Sequence, residues 1–267
     1  MERVAVLGAG VMGEALLTGL LRSGRTPEDL LVAERRPDRA AELRAKYGVP
    51  VVSNVEAATQ ADTLLLVVKP QDMGALLEEI SDAVGTDTLV ISLAAGITTS
   101  FVESRLVEGV AVVRVMPNTP ALVDEGMSAI SAGSSCDEAH LEAAETLLSS
   151  VGRVLRVPEK QQDAVTAISG SGPAYIYYVV EAMIEAGVLL GLPRATSSEL
   201  VVQTLVGAAK MLRETGEHPT VLRENVTSPA GTTVAALREL DDHKVRAAFL
   251  SAMVAARDRS RELAGGD

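Results

Sequence analysis

The feature that most constrains the fold is a series of short, wholly apolar runs in the first 158 residues, each followed by a segment with helical spacing. Runs that are apolar without alternation are typical of strands buried on both faces of a parallel sheet. Strands separated by helices indicate right-handed βαβ units and a doubly wound α/β sheet. The predicted strands are residues 4–7, 30–33, 63–68, 89–93 and 110–115, and the predicted helices are residues 12–21, 39–46, 73–83 and 100–106.

Two further elements are predicted at the end of this half. Residues 127–132 have the composition of an edge strand. Ser135 and Glu138 have the spacing of a capping box, which predicts a helix that begins there and ends before Gly152.

The sequence changes character after Pro158, where we expect only helices. Residues 174–192 are apolar except for Glu181 and Glu185, and two carboxylates at mid-bilayer would be costly, so burial in protein is preferred to a membrane span. Two more apolar faces follow at helical spacing. They comprise Leu200, Thr204, Leu205, Ala208, Met211 and Leu212, and then Val245, Phe249, Met253 and Ala256. We therefore predict a first domain at 1–158 and an all-helical domain at 159–267, covered by a homodimer contact.

Composition excludes several classes of function. The formal net charge of −12 disfavours nucleic acid, whose phosphates need a basic surface, and it equally disfavours an anionic membrane. Cys136 is the only cysteine, so no intramolecular disulfide and no cysteine metal cluster is expected, and we predict no metal. The amino-terminal apolar run is too short for a signal peptide, which predicts a cytoplasmic protein.

A glycine-rich loop follows the first predicted strand and opens the first helix. The pattern G-x-G-x-x-G is weak alone, but this context is that of a Rossmann-type dinucleotide site. The first glycine allows a tight turn, the second lets a diphosphate approach the backbone, and the third lets the helix pack on the strand. The residues predicted to hold the diphosphate are Gly8, Ala9, Gly10, Val11, Met12 and Gly13.

The residues after the second strand indicate which nicotinamide cofactor binds. A carboxylate there pairs with the ribose hydroxyls of NAD, whereas arginine pairs with the 2′-phosphate of NADP. The chain has Glu34, Arg35 and Arg36 in a row, so NADP(H) is preferred and NAD(H) is retained as the alternative. The other interpretation of Arg36 and Arg39 is a solvated helix start.

Three more strand ends are predicted to meet the cofactor, because open α/β sheets bind ligands at the carboxyl edge. After the strand at 63–68 comes Lys69-Pro70, and small residues including Ala95 and Gly96 follow the next strand. The loop after residues 110–115 carries Asn118 between two prolines. Small residues at this edge leave room for a nicotinamide.

Two stretches in the second half place glycines and hydroxyl residues at helix starts, a geometry that suits a carboxylate. They are residues 169–175 (SGSGPAY) and residues 224–233 (ENVTSPAGTT). Together with the glycine loop and Lys69-Pro70, they make the chain resemble pyrroline-5-carboxylate reductase over nearly its whole length. The second stretch, continued through residues 235–237, is similar to the hallmark signature of that family.

The resemblance implies roles for particular positions. Those that match the family's cofactor contacts are the 8–13 loop, Asn54, Val68, Lys69, Pro70, Ala95 and Gly96. Those that match its substrate-carboxylate contacts are Ser228, Gly231, Thr232 and Thr233. Ala230 departs from the pattern, since many relatives have glycine there. The resemblance also implies a dimer through the helical domain, with a larger ring such as a decamer left open.

The implied reaction is hydride transfer from the dihydronicotinamide to C5 of 1-pyrroline-5-carboxylate, a small-molecule substrate, giving L-proline. None of the three histidines lies in a predicted site loop, so the imine is expected to enter already protonated. Thr233 is the candidate catalytic residue, as a hydrogen-bond donor near the ring nitrogen, although it could instead cap a helix. The alternatives are a 3-hydroxyacid dehydrogenase of similar two-domain build and a non-enzymatic NADP-binding regulator.

Overall fold

The computed structural model describes residues 2–264, which divide into two compact units. Unit 1 contains the described residues up to Ser171 and those from Ala256 onward, and unit 2 is Gly172–Ala255. The predicted domain boundary between residues 158 and 159 was inferred from composition. It differs from the division between Ser171 and Gly172 and stays a prediction.

Unit 1 is built on an eight-stranded sheet in the order β3-β2-β1-β4-β5-β6-β7-β8. All neighbouring strands are parallel except β6 and β7. The chain winds outward from β1 in both directions, which confirms the predicted doubly wound, mostly parallel sheet. The strands are β1 (Val4–Leu7), β2 (Leu30–Ala33), β3 (Val51–Val52), β4 (Thr63–Leu66), β5 (Leu89–Ser92), β6 (Ala111–Met116), β7 (Gly126–Ala132) and β8 (Gly152–Arg156).

Helices pack on both faces of this sheet. All residues of β1, β2, β4 and β5 are buried, and successive residues of a strand enter opposite core clusters. Val4 and Val6 join one cluster, while Ala5 and Leu7 join the other. This two-sided burial is why the strands are apolar without alternation. The helices of unit 1 are α1 (Val11–Arg22), α2 (Pro37–Tyr47), α3 (Asn54–Gln60), α4 (Pro70–Ile80), α5 (Thr99–Glu103), α6 (Glu138–Leu148) and α7 (Gln162–Val165).

Unit 2 is all-helical in the part of the chain that the structure describes, as predicted. It contains α8 (Gly172–Leu189), α9 (Arg194–Thr215), α10 (Pro219–Asn225), α11 (Thr232–Asp242) and the first half of α12 (Val245–Ala264). Many apolar side chains of this unit are exposed in the single subunit, among them Tyr178 at 75% and Leu189 at 87%. The predicted apolar face of α9 is also exposed at Leu200 and Met211. No helix among residues 2–264 is long and apolar enough to span a membrane.

Two sequence predictions about β7 and α6 are wrong. β7 is not an edge strand, because β8 pairs with it in parallel and is itself the last strand. β8 was missed because it mixes arginine with apolar residues and is partly exposed. The α6 cap is not Ser135 with Glu138: the Asp137 carboxylate accepts from the His140 amide at 3.0 Å, and His140 Nδ1 accepts from the Asp137 amide at 3.2 Å.

Candidate active site

The glycine loop between β1 and α1 has one glycine with open space beside it and two that are closely packed. Gly8 has φ +97°, and a Cβ there would lie 2.9 Å from the Val67 carbonyl oxygen. A Cβ at Gly13 would collide with the Gly8 carbonyl oxygen. At Gly10, by contrast, a Cβ would meet no atom within 4 Å. Gly8 and Gly13 are therefore required by the fold, whereas the absent side chain of Gly10 leaves room for a ligand.

The start of α1 supplies hydrogen-bond donors beside that space. Gly10 is the N-cap and has no side chain to bond the first turn. The first backbone bond of the helix runs from the Glu14 amide to the Gly10 oxygen at 2.9 Å. The amides of Val11, Met12 and Gly13 precede it and have no acceptor within the helix. This arrangement fits the diphosphate of a dinucleotide.

A charged cluster holds the glycine loop against α2. The Glu14 carboxylate accepts from the Tyr47 hydroxyl at 2.5 Å and from Lys46 Nζ at 3.0 Å, and it also pairs with Arg39. These contacts, that of Tyr47 above all, lower the pKa of Glu14 to about 2. Arg39 Nε also lies 3.4 Å from the Ala9 oxygen. Arg39 therefore bonds to Glu14 and to the backbone of the glycine loop, and it is neither a solvated residue nor a free phosphate ligand.

Two arginines and two carboxylates meet at the end of β2. Glu34 accepts hydrogen bonds from Arg36, from the backbone amide at 3.0 Å and from Nε at 3.2 Å. Arg35 Nη2 lies 3.9 Å from Oε2 of Glu79 in α4. The same Glu79 oxygen accepts a hydrogen bond from Asn54 Nδ2 at 2.8 Å. The side chains of Arg35 and Arg36 are about three-fifths exposed, whereas that of Glu34 is 9% exposed. The exposed arginines are thus the groups available to a phosphate.

The ends of β4 and β5 place the other predicted cofactor residues of unit 1. Lys69 is the exposed N-cap of α4, followed by Pro70 as its first residue. Val68 packs beside Gly8, 3.1 Å from the position of a Cβ there. Ala95 is exposed, and Gly96 has φ +78°, a conformation that other residues rarely adopt.

A partly buried ion pair contacts the start of α5, just after the loop that carries Ala95 and Gly96. The Glu159 carboxylate accepts from the Thr99 amide and hydroxyl, both at 2.8 Å, and from Arg114 at 3.1 Å. Burial alone would raise the pKa of Glu159, but these hydrogen bonds outweigh it and lower that pKa. This pair was not predicted from the sequence, although Arg114, inside the apolar run of β6, was a signal that a carboxylate faces it.

The predicted substrate residues lie in unit 2, at the start of α11. Gly231 is the N-cap, and its amide bonds to the Ser228 oxygen at 3.1 Å, which closes a tight turn. A Cβ at Gly231 would collide with the Ser228 hydroxyl. Thr232 and Thr233 are the first two helical residues, so Thr233 is not the N-cap. Their amides point from a helix start, a geometry that suits a carboxylate.

Ala230 has φ +54°, so its methyl group is strained in a left-handed conformation. We expect Ala230→Gly to raise the free energy of unfolding by about 1 kcal/mol, because glycine adopts this conformation without the Cβ penalty. Chemical denaturation at fixed protein concentration measures the change. Ala236→Gly, within α11, is the control and should destabilise by about 1 kcal/mol. Equal destabilisation by both variants would contradict the prediction.

Comparison with known proteins shows which family the two halves of the chain resemble. The family model described as Pyrroline-5-carboxylate reductase dimerisation matches residues 159–263, and the model described as NADP oxidoreductase coenzyme F420-dependent matches residues 3–96. A pyrroline-5-carboxylate reductase from Corynebacterium melassecola is 48% identical, with 98% of this chain and 99% of that protein covered.

Solved structures agree in fold over nearly the whole chain. The pyrroline-5-carboxylate reductase of Coxiella burnetii has a TM-score of 0.93 at 37% identity, with 98% of each chain covered. The pyrroline carboxylate reductase of Plasmodium falciparum, solved with NADP bound, has a TM-score of 0.89 at 29% identity, with 99% of this chain and 98% of that chain covered. By its sequence, its fold and its carboxyl-terminal domain, the chain belongs to the pyrroline-5-carboxylate reductase family.

Proposed function

We propose that the protein reduces 1-pyrroline-5-carboxylate to L-proline with a nicotinamide cofactor, NADPH in preference to NADH. The observation that carries the proposal is the open space at Gly10 beside the first amides of α1, in a chain that matches this family over 98% of its length. Family membership favours this reaction over the 3-hydroxyacid dehydrogenase and the non-enzymatic regulator.

The bound cofactor would supply the hydride. The chain's part is to hold the diphosphate on residues 8–13 and to line the cofactor site with Lys69, Ala95 and Gly96. We assign Asn54 to the adenosine end of this site, because it contacts the same Glu79 carboxylate as Arg35, which follows β2. The small side chains at the end of β5 leave room for a planar ring.

The substrate carboxylate would be held by the turn from Ser228 to Gly231 and by the amides at the start of α11. Thr233 would donate a hydrogen bond near the ring nitrogen. None of the three histidines is among the residues that we assign to the site: His140 and His218 accept hydrogen bonds from backbone amides at the starts of α6 and α10, and His243 is the C-cap of α11. We therefore assign catalysis to orientation of a substrate that is already protonated.

The cofactor preference is expected to depend on Arg35 and Arg36. Replacing both with alanine should raise the KM for NADPH about tenfold, because charge-assisted contacts to the 2′-phosphate are lost. The KM for NADH should change less than about twofold. Arg105→Ala, an exposed arginine stacked on Phe101, is the control for loss of positive charge. An equal rise in KM for NADPH and NADH would show that the arginines do not bind the 2′-phosphate.

An absorbance assay at the nicotinamide band tests the reaction itself. The protein is mixed with 1-pyrroline-5-carboxylate and NADPH, and separately with NADH, and a 3-hydroxy acid with NADP⁺ is the third arm. Imine-dependent oxidation of NADPH supports the proposal. Oxidation of the 3-hydroxy acid alone, or cofactor binding without turnover, would replace it with one of the alternatives.

The carboxyl-terminal domain also supports association of subunits. It matches the family's dimerisation model, and its apolar side chains are exposed in the single subunit. We assign the homodimer to this domain and extend the proposal to a larger ring such as a decamer. Light scattering distinguishes the two, since the subunit mass is 27.9 kDa. A monomer at micromolar concentration would contradict both.

A further inference from the structure

Both ends of the Asn118 side-chain amide are in use. Its oxygen accepts a hydrogen bond from the Met127 amide at 2.8 Å. Its nitrogen lies 3.2 Å from the carbonyl oxygen of Ser169 and 3.3 Å from the Ser169 hydroxyl. One side chain therefore joins the loop after β6, the strand β7 and the turn around Ser169, all within unit 1.

The turn that Asn118 contacts is a π-helical turn, Thr166–Gly170, between α7 and α8. The Ser171 amide bonds to the Thr166 oxygen at 2.8 Å, five residues back. This register is less favourable than an α-helix and is frequent at functional sites. An interaction from outside the helix is a physical reason for the turn to persist here.

A second contact joins the same two segments. A Cβ at Gly170 would collide with the terminal methyl group of Met116, the last residue of β6, and its next contacts are at 3.7 Å. Gly170 thus lies against the Met116 side chain at the end of β6. The contact between Met116 and Gly170 is apolar and that between Asn118 and Ser169 is polar, so they support the same arrangement independently.

We infer that Asn118 is a positioning residue that holds the π-helical turn Thr166–Gly170 on the carboxyl end of β6. The sequence predicted a direct cofactor contact for Asn118, but its amide is committed to Ser169 and Met127. The inference rests on the proposed function, in which this edge of the sheet receives the nicotinamide. Because reacting atoms need alignment to fractions of an ångström, loosening the turn that leads into α8 should slow the reaction.

Steady-state kinetics of Asn118→Ala and Asn118→Asp test this role. Both variants should lose about 10- to 100-fold in kcat/KM for 1-pyrroline-5-carboxylate. Aspartate cannot donate to the Ser169 carbonyl oxygen, so it should not rescue activity. Ser169→Ala keeps that carbonyl and should lose less than about fivefold. The double variant Asn118→Ala with Ser169→Ala should have the same kcat/KM as Asn118→Ala, since the Ser169 hydroxyl contact is already lost in Asn118→Ala.

Cofactor affinity separates positioning from direct contact. The Kd for NADPH, measured by fluorescence, should stay within about twofold of wild type in Asn118→Ala. Gln60→Ala is the matched control, because it removes an exposed amide whose oxygen accepts from Arg3 at 3.4 Å, and its kinetics should equal those of wild type. A loss of NADPH affinity as large as the loss of kcat/KM would overturn the inference, as would unchanged kinetics.

Hydrogen exchange gives a readout that does not depend on the substrate. Amides in residues 166–171 should exchange at least about tenfold faster in Asn118→Ala than in wild type, whereas those of α1 should not change. Unchanged exchange in the turn would overturn the inference even if the enzyme were inactive on the imine. If Asn118→Ala does not fold, the same measurement on Ser169→Ala decides, with a smaller expected increase.

Discussion

Replacing Gly10 with valine is expected to weaken NADPH binding at least about 100-fold, or about 2.7 kcal/mol, while the protein stays folded. The backbone angles at Gly10, φ −70° and ψ −163°, are open to any residue, and a Cβ there meets nothing within 4 Å. The added side chain therefore fills only the space that we assign to the diphosphate. Calorimetric titration with NADPH measures the affinity, and chemical denaturation measures the stability.

Two other glycines give the matched comparisons. At Gly85 a Cβ also meets nothing within 4 Å, so Gly85→Val should bind NADPH as wild type does. At Gly13 a Cβ collides with the Gly8 carbonyl oxygen, so Gly13→Ala should lose stability as well as binding. If Gly10→Val binds NADPH as tightly as Gly85→Val, the diphosphate does not lie where we place it.

Thr233→Ala is expected to lower kcat about 100-fold, because a hydrogen-bond donor that acts mainly in the transition state would be lost. The residue is the second of α11, with Gly231 as N-cap, so its hydroxyl is not the cap that holds the helix start. The free energy of unfolding should therefore change by less than about 0.5 kcal/mol. Kinetics with saturating NADPH and denaturation of the same preparations measure both quantities.

Thr233→Ser keeps the hydroxyl and should retain activity within about fivefold. Thr215→Ala is the control outside the site: that hydroxyl donates to the Met211 oxygen within α9, and its loss should leave kcat unchanged. Comparable kcat for Thr233→Ala and wild type would remove Thr233 from the reaction. A loss of stability in step with the loss of activity would assign it a structural role instead.

The order and type of most elements of unit 1 could be predicted because their burial is regular. Apolar runs bury on both faces, and only glycine fits at Gly8 and Gly13, so local pattern and local geometry agree. The helical second half and its exposed apolar faces were predictable for the same reason. The ends of elements were less so: α4 begins at Pro70, three residues before the predicted start, because proline suits the first turn of a helix.

Pairings between distant residues could not be predicted. Arg114 and Glu159 are 45 residues apart, Asn118 and Ser169 are 51 apart, and Glu14 meets Tyr47 across 33 residues. Periodicity reports how deeply a residue lies, but it carries no information about which distant residue it faces. Asn118 was therefore assigned to the cofactor by its place at a strand end, although its amide bonds to protein.

The sequence by itself determined the parallel sheet, the glycine loop, the helical second half and the family, because these follow from local burial patterns and from short motifs with a strict steric requirement. Only the tertiary structure decided which charges are already paired, that Gly10 alone among the three loop glycines has open space beside it, and that Ser169 and Gly170 pack on the end of β6. Those outcomes depend on the approach of segments far apart in the chain, which is fixed when the whole fold buries its apolar surface.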